Sequence, residues 1–313
     1  MIKILITGGA GFIGSALAEK LIENKDNYIV VVDNLSTGAY NKLPVLPKDN
    51  WEFIKCDVNV HNDIAAVMFA FKFDYVFHYA AVVGVQRTLA NPTSVLNDIE
   101  GIRNILALSK NTGVKRVFFS SSSEIYGEAI DFPQNEYTTP LNSRLPYAIV
   151  KNVGEAFLDS YNKEYGIDYT IFRLFNTYGP KQTDDFVITK FIKKAEKNED
   201  ITIYGDGMQS RTFCYIDDNI EATLNALYRN EIINDVVNLG GDLEYTILEV
   251  ANIIISLTGS KSKVIHLPAL EEGDMKRRCP DISKMRKLLG RNPVHLEEGL
   301  KAMLDKGLFN NNH

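Results

Sequence analysis

The residues best suited to chemistry in this sequence are a serine cluster and a tyrosine–lysine pair. Ser122 lies in the run Ser120-Ser121-Ser122-Ser123-Glu124, and Tyr147 and Lys151 follow twenty-five and twenty-nine residues after it. A tyrosine and a lysine four residues apart share one face of a helix. A lysine ammonium lowers the pKa of a neighbouring phenol, so the tyrosine can accept a hydroxyl proton while a serine orients that oxygen. The pattern predicts proton removal from an alcohol, although the Tyr-Lys spacing alone would also suit a surface helix.

A glycine-rich turn follows the first apolar segment of the chain. Gly8, Gly11 and Gly14 fall where that segment turns into a helical pattern. Glycines there permit a tight turn, close approach of backbone to a pyrophosphate and packing of the helix on the strand, while the helix N-terminus faces the negative charge. Asp33 ends the second apolar segment nineteen residues later, where a carboxylate can accept hydrogen bonds from ribose hydroxyls. The combination predicts a bound dinucleotide rather than a structural glycine turn.

The acidic residue also indicates which dinucleotide binds. An aspartate at position 33 would repel the additional phosphate of NADP, and the following Asn34-Leu35-Ser36-Thr37-Gly38 supplies no arginine or lysine to compensate. We therefore predict NAD as the cofactor.

The elements that must position these residues are read from the alternation of apolar segments and helical patterns. Six short segments rich in β-branched residues predict strands: Ile2 to Ile6, Tyr28 to Val32, Phe53 to Lys55, Tyr75 to His78, Val117 to Ser120 and Tyr169 to Arg173. Longer helical patterns separate them, which predicts βαβ units on a parallel sheet. The second half has looser order, with helices predicted near 187–196, 217–229 and 248–257 and a strand near 201–204.

The predicted fold class is therefore α/β, a Rossmann-type doubly wound parallel sheet with a smaller C-terminal α/β substrate lobe. We expect a dinucleotide-binding domain over 1–176 and a substrate lobe over 177–313 that is interleaved with the end of the sheet.

Composition narrows the classes of partner. The chain has 313 residues, and 34 Lys and Arg against 40 Asp and Glu give a net charge of −6, with the basic residues scattered. Nucleic acid is therefore an unexpected partner. The three cysteines are far apart and lack metal-ligand spacing, so we expect neither disulfides nor a metal site. No segment resembles a signal peptide or a membrane anchor, and we expect a cytoplasmic protein.

These motifs together resemble the extended short-chain dehydrogenase/reductase family of nucleotide-sugar epimerases, dehydratases and decarboxylases, over nearly the whole chain. Four further segments are similar to that family: Cys56-Asp57-Val58, His78-Tyr79-Ala80-Ala81, Arg173 to Pro180 and Tyr204 to Phe213. The resemblance implies cofactor contacts by Gly8, Gly11, Phe12, Ile13, Gly14, Asp33, Asn34, Ser36, Gly38, Asp57, Val58, Tyr79, Ala80, Ala81, Ser120, Tyr147 and Lys151. It implies substrate contacts by Ser122, Ser123, Asn176, Arg211 and Arg278. Of these, Arg211 would pair with a diphosphate, and Arg278 would make a second contact with the diphosphate or with the sugar. It also implies a homodimer formed through two long helices, about Pro92 to Thr112 and Pro146 to Tyr165, although packing in the internal core would also explain their apolar stripes.

Two departures from the family pattern bear on the reaction. Asp98 stands where the family usually has asparagine, and Ser123-Glu124 stands where the dehydratases carry an Asp-Glu pair, so dehydration is disfavoured. The Ser-Glu pair and the segment from Lys276 to Asp281 resemble UDP-glucuronate decarboxylases, whereas Tyr147 to Lys151 is closer to epimerases. Glu124 is a further candidate catalytic residue that acts at C5, binds a sugar hydroxyl or is a structural carboxylate.

The resemblance implies that Tyr147 removes the C4 hydroxyl proton of a nucleotide-diphosphate sugar while hydride leaves for NAD. We predict that the resulting 4-keto sugar is epimerised at C4 or released, as by a 4-dehydrogenase. The alternatives are a UDP-glucuronate-type decarboxylase and, in another class, a non-catalytic NAD-binding sensor. Such sensors tend to lose the tyrosine or the lysine, and this chain keeps both.

Overall fold

The computed structural model describes residues 1–45, 49–269 and 275–305. The described strands are β1 (Ile2–Thr7), β2 (Asn27–Asp33), β3 (Trp51–Lys55), β4 (Tyr75–His78), β5 (Arg116–Ser122), β6 (Asp168–Leu174), β7 (Thr177–Tyr178), β8 (Ile201–Tyr204), β9 (Ser210–Thr212), β10 (Cys214–Tyr215), β11 (Asp235–Leu239), β12 (Glu244–Thr246), β13 (Val264–Leu267) and β14 (Arg277–Arg278).

The described α-helices are α1 (Phe12–Glu23), α2 (His61–Phe71), α3 (Val85–Ala90), α4 (Pro92–Leu96), α5 (Asp98–Thr112), α6 (Pro146–Tyr165), α7 (Val187–Glu196), α8 (Ile216–Tyr228), α9 (Ile247–Thr258), α10 (Ser283–Leu289) and α11 (Leu296–Asp305). Short 3-10 helices occupy Tyr40–Lys42 and Ser123–Tyr126. Among the described helices, none combines the length and the apolar character needed to cross a membrane.

A seven-stranded parallel sheet with the order β11-β6-β5-β4-β1-β2-β3 forms the centre of the fold. The chain builds outward from β1 to β3 and then returns to place β4 on the other side of β1. This reversal is the topological switch point of a doubly wound sheet, and ligands bind beyond the carboxyl ends of the strands there. The predicted α/β class and Rossmann-type sheet are confirmed.

The sheet strands are nearly continuous apolar runs because helices cover both faces of a parallel sheet. One core cluster joins side chains of β1 to β6 with those of α2, α5 and α6. The predicted strands agree with the observed ones to within two residues, and the predicted helices of the second half to within one. Not predicted were β11 at the edge of the sheet, β13, the two- and three-residue strands of the second half, and the helices α10 and α11.

The chain divides into two compact units. The first comprises Met1–Ile125, Arg144–Arg173 and Thr223–Val237, and the second comprises Tyr126–Ser143, Leu174–Ala222 and Asn238–His313. The domain boundary predicted between 176 and 177 stays a prediction.

The long helix predicted from Pro92 to Thr112 was wrong in one respect, because it is interrupted at Asn97 into α4 and α5. At the interruption the amide of Glu100 donates to the carbonyl of Asn97, a three-residue spacing that is tighter than an α-helical turn. Asp98 thereby becomes the first residue of α5.

Candidate active site

The turn between β1 and α1 is close-packed and requires its glycines. Gly8 has a φ of +67°, and a Cβ on it would lie 2.7 Å from the backbone nitrogen of Ala80. A Cβ on Gly14 would lie 2.5 Å from the carbonyl oxygen of Gly8. Side chains at these positions would therefore push the first turn of α1 away from the strand ends.

The N-terminus of α1 suits a pyrophosphate. Within α1 and its N-cap Gly11, all of which the structure describes, no side chain caps the first turn and no acidic residue lies in it. Phe12 and Ile13 are half-buried at this end of the helix. Amide donors and the helix dipole thus face an anion without competition from a local carboxylate.

Asp33 ends β2 with its carboxylate fixed by two backbone amides. The amide of Ala10 donates to Oδ2 at 3.0 Å and that of Leu35 donates to Oδ1 at 2.8 Å. Burial raises the pKa of Asp33, while these amides and the positive charge of Lys42 lower it. A Cβ on Gly38 would lie 2.8 Å from the Asp33 carboxylate, so that glycine leaves room beside it.

A second acidic residue joins this edge of the sheet. The side-chain amide of Asn34 donates to Asp57 at 3.0 Å and its oxygen accepts from the amide of Ser36 at 2.9 Å. Val58 is buried in the core, and its carbonyl accepts from the side chain of Asn104 at 2.9 Å. Four of the predicted cofactor residues therefore lie together beyond β2 and β3.

Thr7 ties the ends of β1 and β4 at the switch point. Its hydroxyl lies 2.8 Å from Nδ1 of His78 and accepts from the amides of Tyr79 and Ala80, each at 3.1 Å. Burial and the charge of Lys151 lower the pKa of His78 to about 3, so this imidazole is neutral at physiological pH. The segment that includes Ala81 is thereby held beside the glycine turn.

The predicted catalytic residues lie at the end of β5 and in the first two turns of α6. Nζ of Lys151 lies 5.7 Å from the ring centroid of Tyr147 and 3.5 Å from the hydroxyl of Ser120. The hydroxyl of Ser122 accepts from the amide of Glu124 at 3.1 Å, at the start of the short helix after β5, and Ser123 is buried between them. The predicted serines therefore lie at the end of one strand, and the tyrosine and the lysine lie on one helix of the same compact unit.

Lys151 is only 3% exposed. Burial lowers the pKa of Lys151 to about 8, and the negative charge of Asp98 opposes that effect. A lysine ammonium that is charged near neutral pH stabilises the phenolate form of a neighbouring tyrosine. A tyrosine in that form can accept a proton from a substrate hydroxyl.

A buried ion pair anchors α6, the helix of Tyr147 and Lys151. Glu155, one turn after Lys151, accepts from the guanidinium of Arg173 at 3.0 and 2.7 Å and from the hydroxyl of Ser121 at 2.5 Å. These bonds fix α6 against β5 and β6. Sequence analysis missed Glu155, although its spacing of four from Lys151 continues the same helix face.

Three of the five predicted substrate residues lie in the second unit, on or beside strand β9. Arg278 of β14 is in direct register with Arg211 of β9, and each is 7% exposed. Asn176 has a φ of +39°, and its side-chain amide donates to the carbonyl of Thr212 at 2.9 Å. Two buried arginines in register on neighbouring strands provide several N–H donors, an arrangement that suits a multivalent anion.

The neighbouring Arg277 has a different role. Its side chain is exposed, and its guanidinium pairs with Glu244, with Nε donating at 2.8 Å. This ion pair and the hydroxyl of Ser210 lower the pKa of Glu244. Of these two adjacent arginines, Arg277 therefore forms an ion pair at the surface, whereas Arg278 is buried.

The chain is similar to known proteins over most of its length. The family model described as the NAD dependent epimerase/dehydratase family matches residues 4–240. The chain belongs to this family. It is 37% identical over 316 residues to a putative UDP-glucose 4-epimerase of Methanocaldococcus jannaschii, covering 99% of both chains. It is 36% identical over 311 residues to UDP-glucuronic acid decarboxylase 1 of Danio rerio, covering 96% of this chain and 72% of that protein.

A solved structure of the family is similar over nearly the whole chain. The UDP-glucose 4-epimerase of Thermotoga maritima, determined with UDP-glucose, has a TM-score of 0.91 and 33% identity, covering 97% of this chain and 98% of that one. The predicted membership of the extended short-chain dehydrogenase/reductase family and the predicted NAD cofactor are confirmed by the family. The roles of individual site residues stay predictions.

Proposed function

We propose that this protein oxidises C4 of a nucleotide-diphosphate sugar with NAD and then completes a 4-epimerisation or releases the ketone. The observation that carries the proposal is the buried Lys151 beside Tyr147 and Ser120, in the same unit as the uncapped glycine turn. The proposal agrees with the epimerases and decarboxylases among its relatives.

The chain's own residues account for the proton half of the reaction. Ser122 orients the C4 hydroxyl, Tyr147 accepts its proton, and the Lys151 ammonium stabilises the phenolate that transfers it. NAD, when bound at the glycine turn, supplies a hydride acceptor for C4. If Tyr147 later returns the proton while the hydride returns to the other face, the product is the 4-epimer.

The second unit supplies binding for the nucleotide part. Arg211 and Arg278 would pair with the two phosphates, and Asn176 would donate to one of them. This arrangement supports a nucleotide diphosphate as the anchor of the substrate. It favours catalysis over a sensor that binds NAD alone.

The proposal is tested by mass spectrometry of products from UDP-, GDP-, dTDP- and CDP-sugars, with wild type, Tyr147→Phe and the control Tyr161→Phe. Tyr161 lies on the same helix and is half-buried. Conversion to an isobaric sugar or to one lighter by two hydrogens is expected with wild type and the control. It should be abolished in Tyr147→Phe while NAD binding persists. Full activity of Tyr147→Phe would overturn the mechanism.

A second candidate is decarboxylation of a UDP-uronic acid, favoured by Glu124 immediately after the serines and by the Danio rerio relative. Loss of carbon dioxide from UDP-glucuronate in the same assay would select it. Glu124→Gln should then stop decarboxylation more strongly than C4 oxidation. Equal loss of both steps would point instead to a sugar-hydroxyl contact.

We also propose a homodimer formed through α4, α5 and α6. Leu96 and Ile149 are 43% and 42% exposed on neighbouring helices, which supports a covered apolar face. Sedimentation of Ile149→Lys should give a monomer, whereas Phe69→Lys, at an exposed site on α2, should leave the dimer intact. A dimer that survives Ile149→Lys would contradict this interface.

The free state of all three cysteines agrees with a reducing compartment. We therefore place the proposed reaction in the cytoplasm. Fractionation of cells that express the tagged protein tests this location, and recovery outside the cytoplasm would refute it.

A further inference from the structure

The surroundings of Lys151 leave its positive charge almost unsolvated. Its ammonium is near the hydroxyl of Ser120, the rings of Phe119 and Tyr147, and the neutral His78. A hydroxyl, two rings and a neutral imidazole do not compensate a full charge that has been removed from water. A buried lysine in such surroundings tends to lose its proton.

Asp98 supplies a carboxylate in the same unit. It is 8% exposed at the first turn of α5, where the helix dipole favours an anion. The amide of Val82 donates to Oδ2 at 2.7 Å and the side-chain amide of Asn59 donates to Oδ1 at 3.4 Å. These bonds fix both oxygens from two different loops.

α5 packs against α6, and a Cβ added to Gly154, three residues after Lys151, would lie 3.1 Å from Cδ1 of Ile102, one turn after Asp98. Both helices connect parallel strands and run in the same direction, so Asp98 and Lys151 lie near each other at the start of the two helices, and their charges interact.

Burial raises the pKa of Asp98, and its bond to Val82 and the positive charge of Lys151 lower it. Asp57, at the end of β3, acts in the opposite direction on Asp98. Among the charged groups of the described residues that act on Lys151, Asp98 is the one that favours the ammonium.

We propose that Asp98 is a positioning residue, the buried counter-charge that keeps Lys151 protonated beside Tyr147. The inference rests on the proposed function for its catalytic meaning, but the coupling between the two residues is a property of the protein alone. Asp98 acts through Lys151 and does not touch the reacting atoms. Removing its charge while keeping its shape should therefore discharge the lysine without dismantling the site.

Nuclear magnetic resonance of protein labelled at lysine Cε tests the coupling without substrate. The Lys151 signal, assigned by its absence in Lys151→Met, is followed from about pH 5.5 to about pH 9.5. Asp98→Asn should move its titration midpoint to lower pH by on the order of one pH unit. Glu100→Gln is the matched control, because Glu100 is an exposed carboxylate on the same helix and pairs with Arg103. An unchanged midpoint in folded Asp98→Asn would overturn the proposal.

If Asp98→Asn does not fold, the coupling is measured from the other partner. Coupling is reciprocal, so Lys151→Met must raise the titration midpoint of Asp98, observed through labelled aspartate in both proteins. An unchanged Asp98 midpoint would again refute the proposal. Both titrations measure the coupling between Asp98 and Lys151 without any substrate. A failure of the proposed function would therefore be distinguishable from a failure of this inference.

Kinetics supply a readout that a purely structural role would not move. In the sugar-dependent reaction, the alkaline fall of kcat should begin at lower pH in Asp98→Asn than in wild type. A uniform loss of kcat at every pH would indicate damage to the fold and count against a role in charge.

Discussion

Replacement of His78 by asparagine should change how the stability of the protein depends on pH. The imidazole is buried, and Nδ1 lies 2.8 Å from the Thr7 hydroxyl, a position that an asparagine side-chain nitrogen or oxygen can occupy. Burial first, and then the charge of Lys151, lower the pKa of His78 from 6.5 to about 3. The unfolded chain therefore takes up a proton as pH falls below 6.5, and the folded protein does not until near 3.

The sign and size of the change in the free energy of unfolding with pH follow from this difference in proton binding between the folded and unfolded chain. The stability held with neutral His78 is fully present above pH 6.5 and is lost progressively as the pH falls toward 3. Between about pH 7.5 and about pH 5 the loss is roughly 2 kcal/mol, at 1.36 kcal/mol for each unit below the unfolded-state pKa. The folded-state pKa lies well below this interval, so the size depends almost wholly on the unfolded chain.

Urea unfolding of wild type and His78→Asn at several pH values within that interval measures the effect. Buried carboxylates such as Asp33 and Asp98 also titrate, but they are common to both proteins and cancel in the difference. The free-energy difference between the two proteins should shift by roughly 2 kcal/mol in favour of the variant at the acidic end. His61→Asn, at an exposed position on α2, should show no such trend. A difference that stays constant with pH would refute the reasoning.

Three further changes test other parts of the fold. Gly14→Ala should lower the free energy of unfolding by about 1–3 kcal/mol, because its Cβ would lie 2.5 Å from the Gly8 oxygen. It should also weaken NAD binding measured by calorimetry, and a normal affinity would contradict this. Glu155→Leu should cost about 3–5 kcal/mol in urea unfolding by stranding the Arg173 charge, whereas leucine at both positions should recover much of it. Thr246→Ala should cost about 1 kcal/mol by removing the capping box of α9, and an unchanged unfolding midpoint would refute that role.

The central sheet was predictable because buried parallel strands have continuous apolar sequences followed by glycine or polar residues. The strand at Tyr75–His78 was predicted with its observed bounds for this reason. The edge strand Asp235–Leu239 has an aspartate and an asparagine among its five residues, which leaves two consecutive valines as its longest apolar run. A run this short does not distinguish a strand from a loop, so β11 was not predicted.

The site was predictable where spacing along one element decides the chemistry. The Tyr147 and Lys151 pair and the glycine turn fall in this class, and the structure places them in one unit. The carboxylate that acts on Lys151 was noticed in the sequence only as a substitution at position 98. Asp98 acts on Lys151 from the first residue of α5, fifty-three positions before the lysine. Side-chain encounters between distant elements are set by packing, which spacing does not encode.

Three buried arginines, Arg173, Arg211 and Arg278, lie in two different surroundings. Arg173 meets Glu155 with two hydrogen bonds, so its charge is compensated inside the protein. Arg211 and Arg278 instead stand in direct register on neighbouring strands, and each is only 7% exposed. Under the proposed function these two arginines bind a diphosphate, and a ligand that binds only the folded state stabilises it by RT ln(1 + [L]/Kd). Substrate binding would therefore stabilise the folded chain through these two residues.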